Sequence, residues 1–243
     1  MGFPVGVDEA ASYGGKPYAT YGLLVANTAI FILLRVAYPF LGFPSWDSVL
    51  RGFGTYPADV LNPSSLYRVF TAMFLHANLL HLVVNMFYLL IFGSEVEHVM
   101  GAARFTAFYL AGGVLAAAFN TVSEAVVPAL INQTQSAEAW LTPAVGASGA
   151  ISAVLGAALI LFPKARVMSV LYVLPLSMSV KVYVLIWFAY QLLLAIYAPG
   201  LGIAFWAHIG GLLSGIGLTP IFIDRRRLER MRSRVRLVRE AGL

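Results

Sequence analysis

Cysteine is absent from this chain. Disulfides, a thiol nucleophile and thiolate metal sites are therefore excluded. Charge is scarce: 11% of the 243 residues are Asp, Glu, Lys or Arg, against about 25% in a soluble domain. Hydrophobic residues reach 60%, against about 45–50%. A soluble globular domain does not fit. The length accommodates about six membrane helices of about 20 residues each. Acidic side chains are the rarer sign, 11 against 16 Lys and Arg. Each lies at a span end or in a loop, so the ion-coupling carboxylate of a transporter or channel is missing. The HExxH metal pattern is missing too. Residues 1–18 hold one lysine, four glycines and no apolar core, and no cleavable signal sequence is expected there.

Apolar runs bounded by charge, Gly or Pro predict six spans, roughly 19–38, 79–93, 105–121, 148–162, 182–197 and 203–223. Several are shorter than about 20 residues, so some helices are expected to begin inside the membrane thickness. The chain then divides into an N-terminal segment 1–18, a membrane core 19–223 and a basic tail 224–243. Eight of the sixteen Lys and Arg fall between Arg225 and Arg239. Lys16, Arg104, Lys164, Arg166 and Lys181 lie on the same side as that tail. The opposite loops hold Arg51 and Arg68, with Arg35 near the end of the first span. By the positive-inside rule both termini are expected in the cytoplasm of a multi-pass protein of the cell membrane.

Two segments stand apart. Between Pro39 and His76 come eight aromatics, among them Phe40, Trp46, Tyr67 and Phe70. A free aqueous loop has no need of them, so this loop is expected to lie in the interface. Pro163–Lys181 is apolar, but Pro163 and Pro175 break it as a span. In the tail, Leu228, Met231, Val235 and Val238 recur at helical spacing with arginines between. That pattern predicts either an amphipathic helix on anionic lipid or a plain topology anchor. The charge is a membrane tail, not a nucleic-acid surface.

Chemistry concentrates in three spans. Ser148 stands in Gly146-Ala147-Ser148-Gly149, at the start of an apolar run. A serine at a helix N-terminus is close to free N–H groups that suit an oxyanion. The plain alternative is an N-cap serine. His208 lies within the last span, where an ionisable side chain is costly and points to function; the alternative is a structural histidine bonded between helices. Counting back fourteen residues from Phe162 and from Phe222 puts Ser148 and His208 at one level, about 21 Å from the inner edge. That is about 9 Å below the outer edge of a roughly 30 Å hydrocarbon layer. A nucleophile and its base need this match. Small residues line both helices: Gly149, Ala153 and Ala157 on one, with Ser152 and Gly156 beside them, and Ala207, Gly211 and Gly215 on the other. Such stripes let helices approach closely. In the second span His81 and Asn85 share a face, with His76 just before them. They suit oxyanion donors. A metal site is the rival for these histidines, disfavoured because no acidic residue lies at their depth.

These motifs resemble the rhomboid family of intramembrane serine proteases. The matching stretches are His76-Ala-Asn-Leu-Leu-His81-Leu-Val-Val-Asn85-Met86, Gly146-Ala147-Ser148-Gly149 and Ala207-His208-Ile209-Gly210-Gly211, in the family's order over residues 20–223. Tyr67-Arg68 resembles its Trp-Arg element, and Glu97 with Gly101 fits as well. The resemblance implies an all-α, six-helix bundle without cofactor or metal, acting on transmembrane segments of other membrane proteins. It implies Ser148 as nucleophile and His208 as general base and acid, with no third acidic member. The oxyanion hole would be His81, Asn85 and the Ser148 backbone N–H. His76, Gly146, Gly149 and Arg68 would support the site. Substrate would enter sideways from lipid, near the fifth span. Two departures stand out: Tyr67 replaces a tryptophan, and Ser152 stands where many relatives pack a tyrosine on the catalytic histidine. A non-catalytic, derlin-like member that binds or moves membrane proteins is the alternative; such members typically lack the serine or the histidine, and both are present here.

Overall fold

The structure is a computed structural model, and it describes residues 3–7, 16–130, 140–171, 174–198 and 201–240. Most of the expected segment 1–18 lies outside the described residues. Five helices are long and apolar enough to cross a membrane. They are α1 (Tyr18–Ala37), α4 (Leu79–Met100), α5 (Ala102–Leu130), α7 (Val180–Tyr197) and α8 (Phe205–Phe222). The sixth, α6 (Ser148–Leu161), has 14 residues. At 1.5 Å per residue it is about 21 Å long, short of the hydrocarbon layer. Helices satisfy their own backbone groups, which lipid cannot do.

Two spans are longer than the sequence predicts. The second was expected to end at 93 but runs to Met100 through a π-turn at Leu89–Gly93. Glu95 and Glu97 look like a span end in sequence, yet both are buried. Glu97 accepts hydrogen bonds from the Ala19 and Thr20 N–H groups, at 2.9 and 2.7 Å, and from the Thr20 hydroxyl at 2.7 Å. It supplies the N-terminal cap that Pro17 cannot give α1. The third span was expected to end at 121 but continues as α5 because Asn120, Thr121 and Ser123 turn into the protein. The single residue Gly101, at φ +80°, reverses the chain between α4 and α5.

The segment 163–181 folds as a hairpin of β2 (Arg166–Leu171) and β3 (Leu174–Ser179). The N-terminal strand β1 (Phe3–Val7) pairs antiparallel with β2, giving the order β1-β2-β3. This small sheet is an addition to the helical bundle. The broken apolar pattern around two prolines hid it.

The interface loop carries α2 (Trp46–Phe53) and α3 (Tyr67–Ala72) with 3-10 turns between them. Phe40, Tyr67 and Phe70 are exposed, while Trp46 packs on Phe31 and donates to the Ala77 carbonyl at 2.9 Å. At the opposite end α9 (Arg225–Glu240) follows Asp224, which accepts the Arg226 and Arg227 N–H groups. Leu228 and Met231 pack against the bundle, so the first part of the apolar stripe faces protein. The side chains of Val235 and Val238 lie outside the described residues.

The bundle's centre is the contact between α6 and α8. A Cβ on Gly211 would strike the Gly149 carbonyl, and one on Gly215 the Ala153 carbonyl. A Cβ on Gly156 would strike the Leu212 carbonyl. The small-residue stripes therefore meet face to face, and they bring the two helix backbones into contact.

Candidate active site

The site forms where α6 and α8 begin. Ser148 is the first residue of α6, and the N-cap position belongs to Ala147, whose side chain caps nothing. The alternative of Ser148 as a capping serine is thereby excluded. Its Oγ lies 2.8 Å from Nε2 of His208. His208 sits in the first turn of α8, closer to the helix end than the predicted span start at 203 implied. Its other ring nitrogen, Nδ1, lies 2.8 Å from Oε1 of Gln191 on α7. The rings of Trp187 and Phe205 flank the imidazole, with centroids at 6.0 and 6.4 Å.

Ser152 answers differently than a tyrosine would. It is buried, and its hydroxyl donates to the Ser148 carbonyl at 2.7 Å. Its Cβ is 2.9 Å from where a Gly211 Cβ would stand. No room remains there for an aromatic ring, and the rings against His208 come from α7 and α8 instead.

The segment before Ser148 is held from the interface loop. Thr55 and Ala144 exchange backbone hydrogen bonds of 3.0 and 2.7 Å, and the Gly146 N–H donates to the Ala72 carbonyl at 2.8 Å. Gly146 has φ +124°, a conformation that only glycine adopts freely. A Cβ there would lie 2.8 Å from Nε2 of His81 and 3.6 Å from Oγ of Ser148. Gly146 thus leaves space for the His81 ring beside the serine.

His81 receives the Ala77 N–H at Nδ1, at 3.4 Å, which leaves its proton on Nε2, toward the serine. Asn85, one turn along α4, is buried, and its Nδ2 has no hydrogen-bond partner among the described residues. His76 is fully buried with its ring 5.2 Å from that of His81. Burial, with His81 beside it, pulls the His76 imidazole down to about 3, so it is uncharged at neutral pH. Gly149 lies against Ala116 of α5, where a Cβ would stand 2.9 Å from the Ala116 Cβ.

Arg68 is not with this group. It donates to the Arg51 carbonyl at 3.1 Å, reaches Asp59 at 4.0 Å and lies over the Tyr56 and Tyr67 rings. Its contacts organise the interface loop. A cavity of about 50 Å³ lies between that loop and Ser148. Thr55, Met73, Ala116 and Asn120 line it, and Oγ1 of Thr55 and Oδ1 of Asn120 are without partners among the described residues. Among the described residues no three His, Asp or Glu side chains gather as metal ligands.

Gln191, Trp187 and Phe205 are absent from the sequence reading. For Gln191 a signal existed: it is the one amide in the apolar run 180–197, and a polar group there needs a partner. Nothing in the sequence says that its partner is His208.

The fold and the site define a polytopic membrane protein with a serine and a histidine hydrogen-bonded where two helices start. Residues 63–225 match the Rhomboid domain, and the chain belongs to the rhomboid family. It is 31% identical over 204 residues to the presenilin-associated rhomboid-like protein A, mitochondrial, of Danio rerio, covering 80% of this chain and 45% of that protein. It is 28% identical over 147 residues to RHOMBOID-like protein 12, mitochondrial, of Arabidopsis thaliana, covering 59% and 41%. With the Rhomboid protease GluP of Bacillus subtilis the identity is 30% over 152 residues, covering 62% and 26%. The chain spans less than half the length of these three relatives.

Proposed function

We propose that this protein is an intramembrane serine endopeptidase that cleaves transmembrane segments of other membrane proteins. The observation that carries the reading is the 2.8 Å contact between Ser148 Oγ and His208 Nε2. It is short enough for proton transfer. In this mechanism His208 Nε2 takes the Ser148 proton as Oγ attacks the scissile carbonyl carbon. The carbonyl oxygen gains the charge and is met by the Ser148 N–H, Nδ2 of Asn85 and Nε2–H of His81. His208 passes its proton to the leaving nitrogen, and the C–N bond breaks. Water then attacks the acyl carbon, its proton going to His208, and His208 returns that proton to Ser148 Oγ as the Ser148–acyl bond breaks. Thr55 Oγ1 and Asn120 Oδ1 of the neighbouring cavity, without partners among the described residues, suit that water.

In this reading both termini lie on the cytoplasmic side of the cell membrane, and the site opens outward. The distribution of arginine and lysine supports it. The tail helix α9 adds a partner, anionic lipid, through arginines of which Arg225, Arg226, Arg227 and Arg230 are exposed. Binding of the purified protein to phosphatidylserine vesicles, lost when the tail arginines become glutamines, tests that contact.

The main test is a fluorophosphonate probe on detergent-purified protein. Labelling of the wild type, none of Ser148→Ala and loss with His208→Ala are expected, together with cleavage of a model transmembrane substrate that EDTA does not inhibit. A folded Ser148→Ala protein that still cleaves would overturn the assignment. Inhibition by EDTA, relieved by zinc, would point to a metal enzyme.

A further inference from the structure

A neutral imidazole has one proton for two nitrogens. To take a proton from Ser148, His208 must hold its own on Nδ1 and keep a lone pair on Nε2. Something must therefore favour the Nδ1–H form. Among the described residues no carboxylate does so: the hydrogen-bond partner of Nδ1 is Gln191, 2.8 Å away. Gln191 is buried on a helix that is otherwise apolar at this level, which makes its amide costly unless it is paired.

We propose that Gln191 is the positioning residue of His208. Its Oε1 accepts the Nδ1–H, which selects the tautomer able to accept from Ser148 and fixes the ring's rotation between Trp187 and Phe205. This deepens the serine–histidine reading and rests on it. The proton balance needs no titration of the amide. When Nε2 takes the Ser148 proton, Nδ1–H stays on Oε1, and the same Nε2 proton later leaves with the amine. The opposite arrangement, with the Gln191 amide donating to Nδ1, would put the histidine proton on Nε2 and block the base. Gln191 belongs to α7 and His208 to α8, so the contact that sets the base is made between two helices.

The test compares wild type, Gln191→Met, Gln191→Glu and Ser148→Ala by fluorophosphonate labelling, resolved into the inactivation rate and the probe affinity, alongside melting temperature. Methionine keeps the volume and removes the acceptor; glutamate keeps an acceptor only. Gln191→Met is expected to lower the inactivation rate about 10- to 100-fold, the cost of one unmade buried hydrogen bond. Probe affinity should stay near wild type, the melting temperature should fall by no more than the loss of this one bond, and Gln191→Glu should recover rate relative to Gln191→Met. A folded Gln191→Met that labels at the wild-type rate overturns the proposal, as does a Gln191→Glu no faster than Gln191→Met. Histidine ¹⁵N spectra of the wild type give an arm that needs no folded variant at 191, with His208 assigned by difference from His208→Gln. A proton on Nδ1 is expected, and a proton on Nε2 overturns the proposal. Failure of the underlying reading looks different: wild-type labelling would then persist in Ser148→Ala.

Discussion

The distance between α6 and α8 sets the distance between Ser148 and His208, and Gly211→Ala tests this directly. Gly211 is one turn from His208, and Gly149 directly follows Ser148. An alanine Cβ at 211 would overlap the Gly149 carbonyl and stand 2.9 Å from the Ser152 Cβ. Carbon atoms pack at about 3.5–4.0 Å, so the helices must part by about 0.6–1 Å. Backbone on one side and a helical Cβ on the other leave no flexible side chain to yield. A separation of that size lengthens the 2.8 Å bond between Ser148 and His208 to about 3.4–3.8 Å, at or beyond the limit of a hydrogen bond. A displacement of about 1 Å in a catalytic pair costs about 10²-fold in rate. Overpacking costs about 1–3 kcal/mol of stability. Gly217→Ala is the control on the same helix, since a Cβ there meets nothing within 4 Å. It is expected to be neutral or stabilising by up to about 1 kcal/mol. Melting temperature and single-turnover cleavage of both proteins decide the matter. If folded Gly211→Ala turns over at the wild-type rate, helix approach does not govern the dyad and the reasoning fails.

Asn85→Ala should reduce kcat about 10²–10³-fold with little change in KM, because its Nδ2, without a partner among the described residues, is assigned to the transition state. A wild-type single-turnover rate in the folded variant would make Asn85 a packing residue. Glu97→Ala should do the reverse. It removes three charge-assisted bonds to the start of α1, worth together at least about 3 kcal/mol, so the melting temperature falls while the rate per folded molecule holds. A rate loss without a stability loss would show that Glu97 acts on the site.

Several features could be read from the chain before any packing was known. Charge boundaries located the spans because a buried unpaired charge in lipid is prohibitive. The same rule misled at Glu95 and Glu97 and at the polar end of α5. It cannot distinguish a charge that ends a helix from one that turns inward to a partner. The glycine and alanine stripes were visible because helical periodicity carries a face of small residues along a sequence. The hairpin at 166–179 was not, since prolines in a short apolar run break both helix and strand patterns alike.

For the site the division is between depth and rotation. Residue counts along a rigid helix convert to ångströms, so Ser148 and His208 could be assigned one level from sequence alone. Rotation about the helix axis was marked only by the small-residue stripes of α6 and α8, which name a face but not what it meets. α7 is apolar nearly all round, and a helix without a polar or small-residue face gives no signal of which way it points. Only the contact of Gly149, Gly156, Gly211 and Gly215 turns Ser148 toward His208, and only the packing of α7 beside α8 brings Gln191 to Nδ1 from seventeen residues away. Gln191 was a conspicuous amide in an apolar run. Its partner was decided by tertiary structure, because a hydrogen bond between helices depends on their mutual rotation, and the sequence of one helix carries no record of its neighbour's.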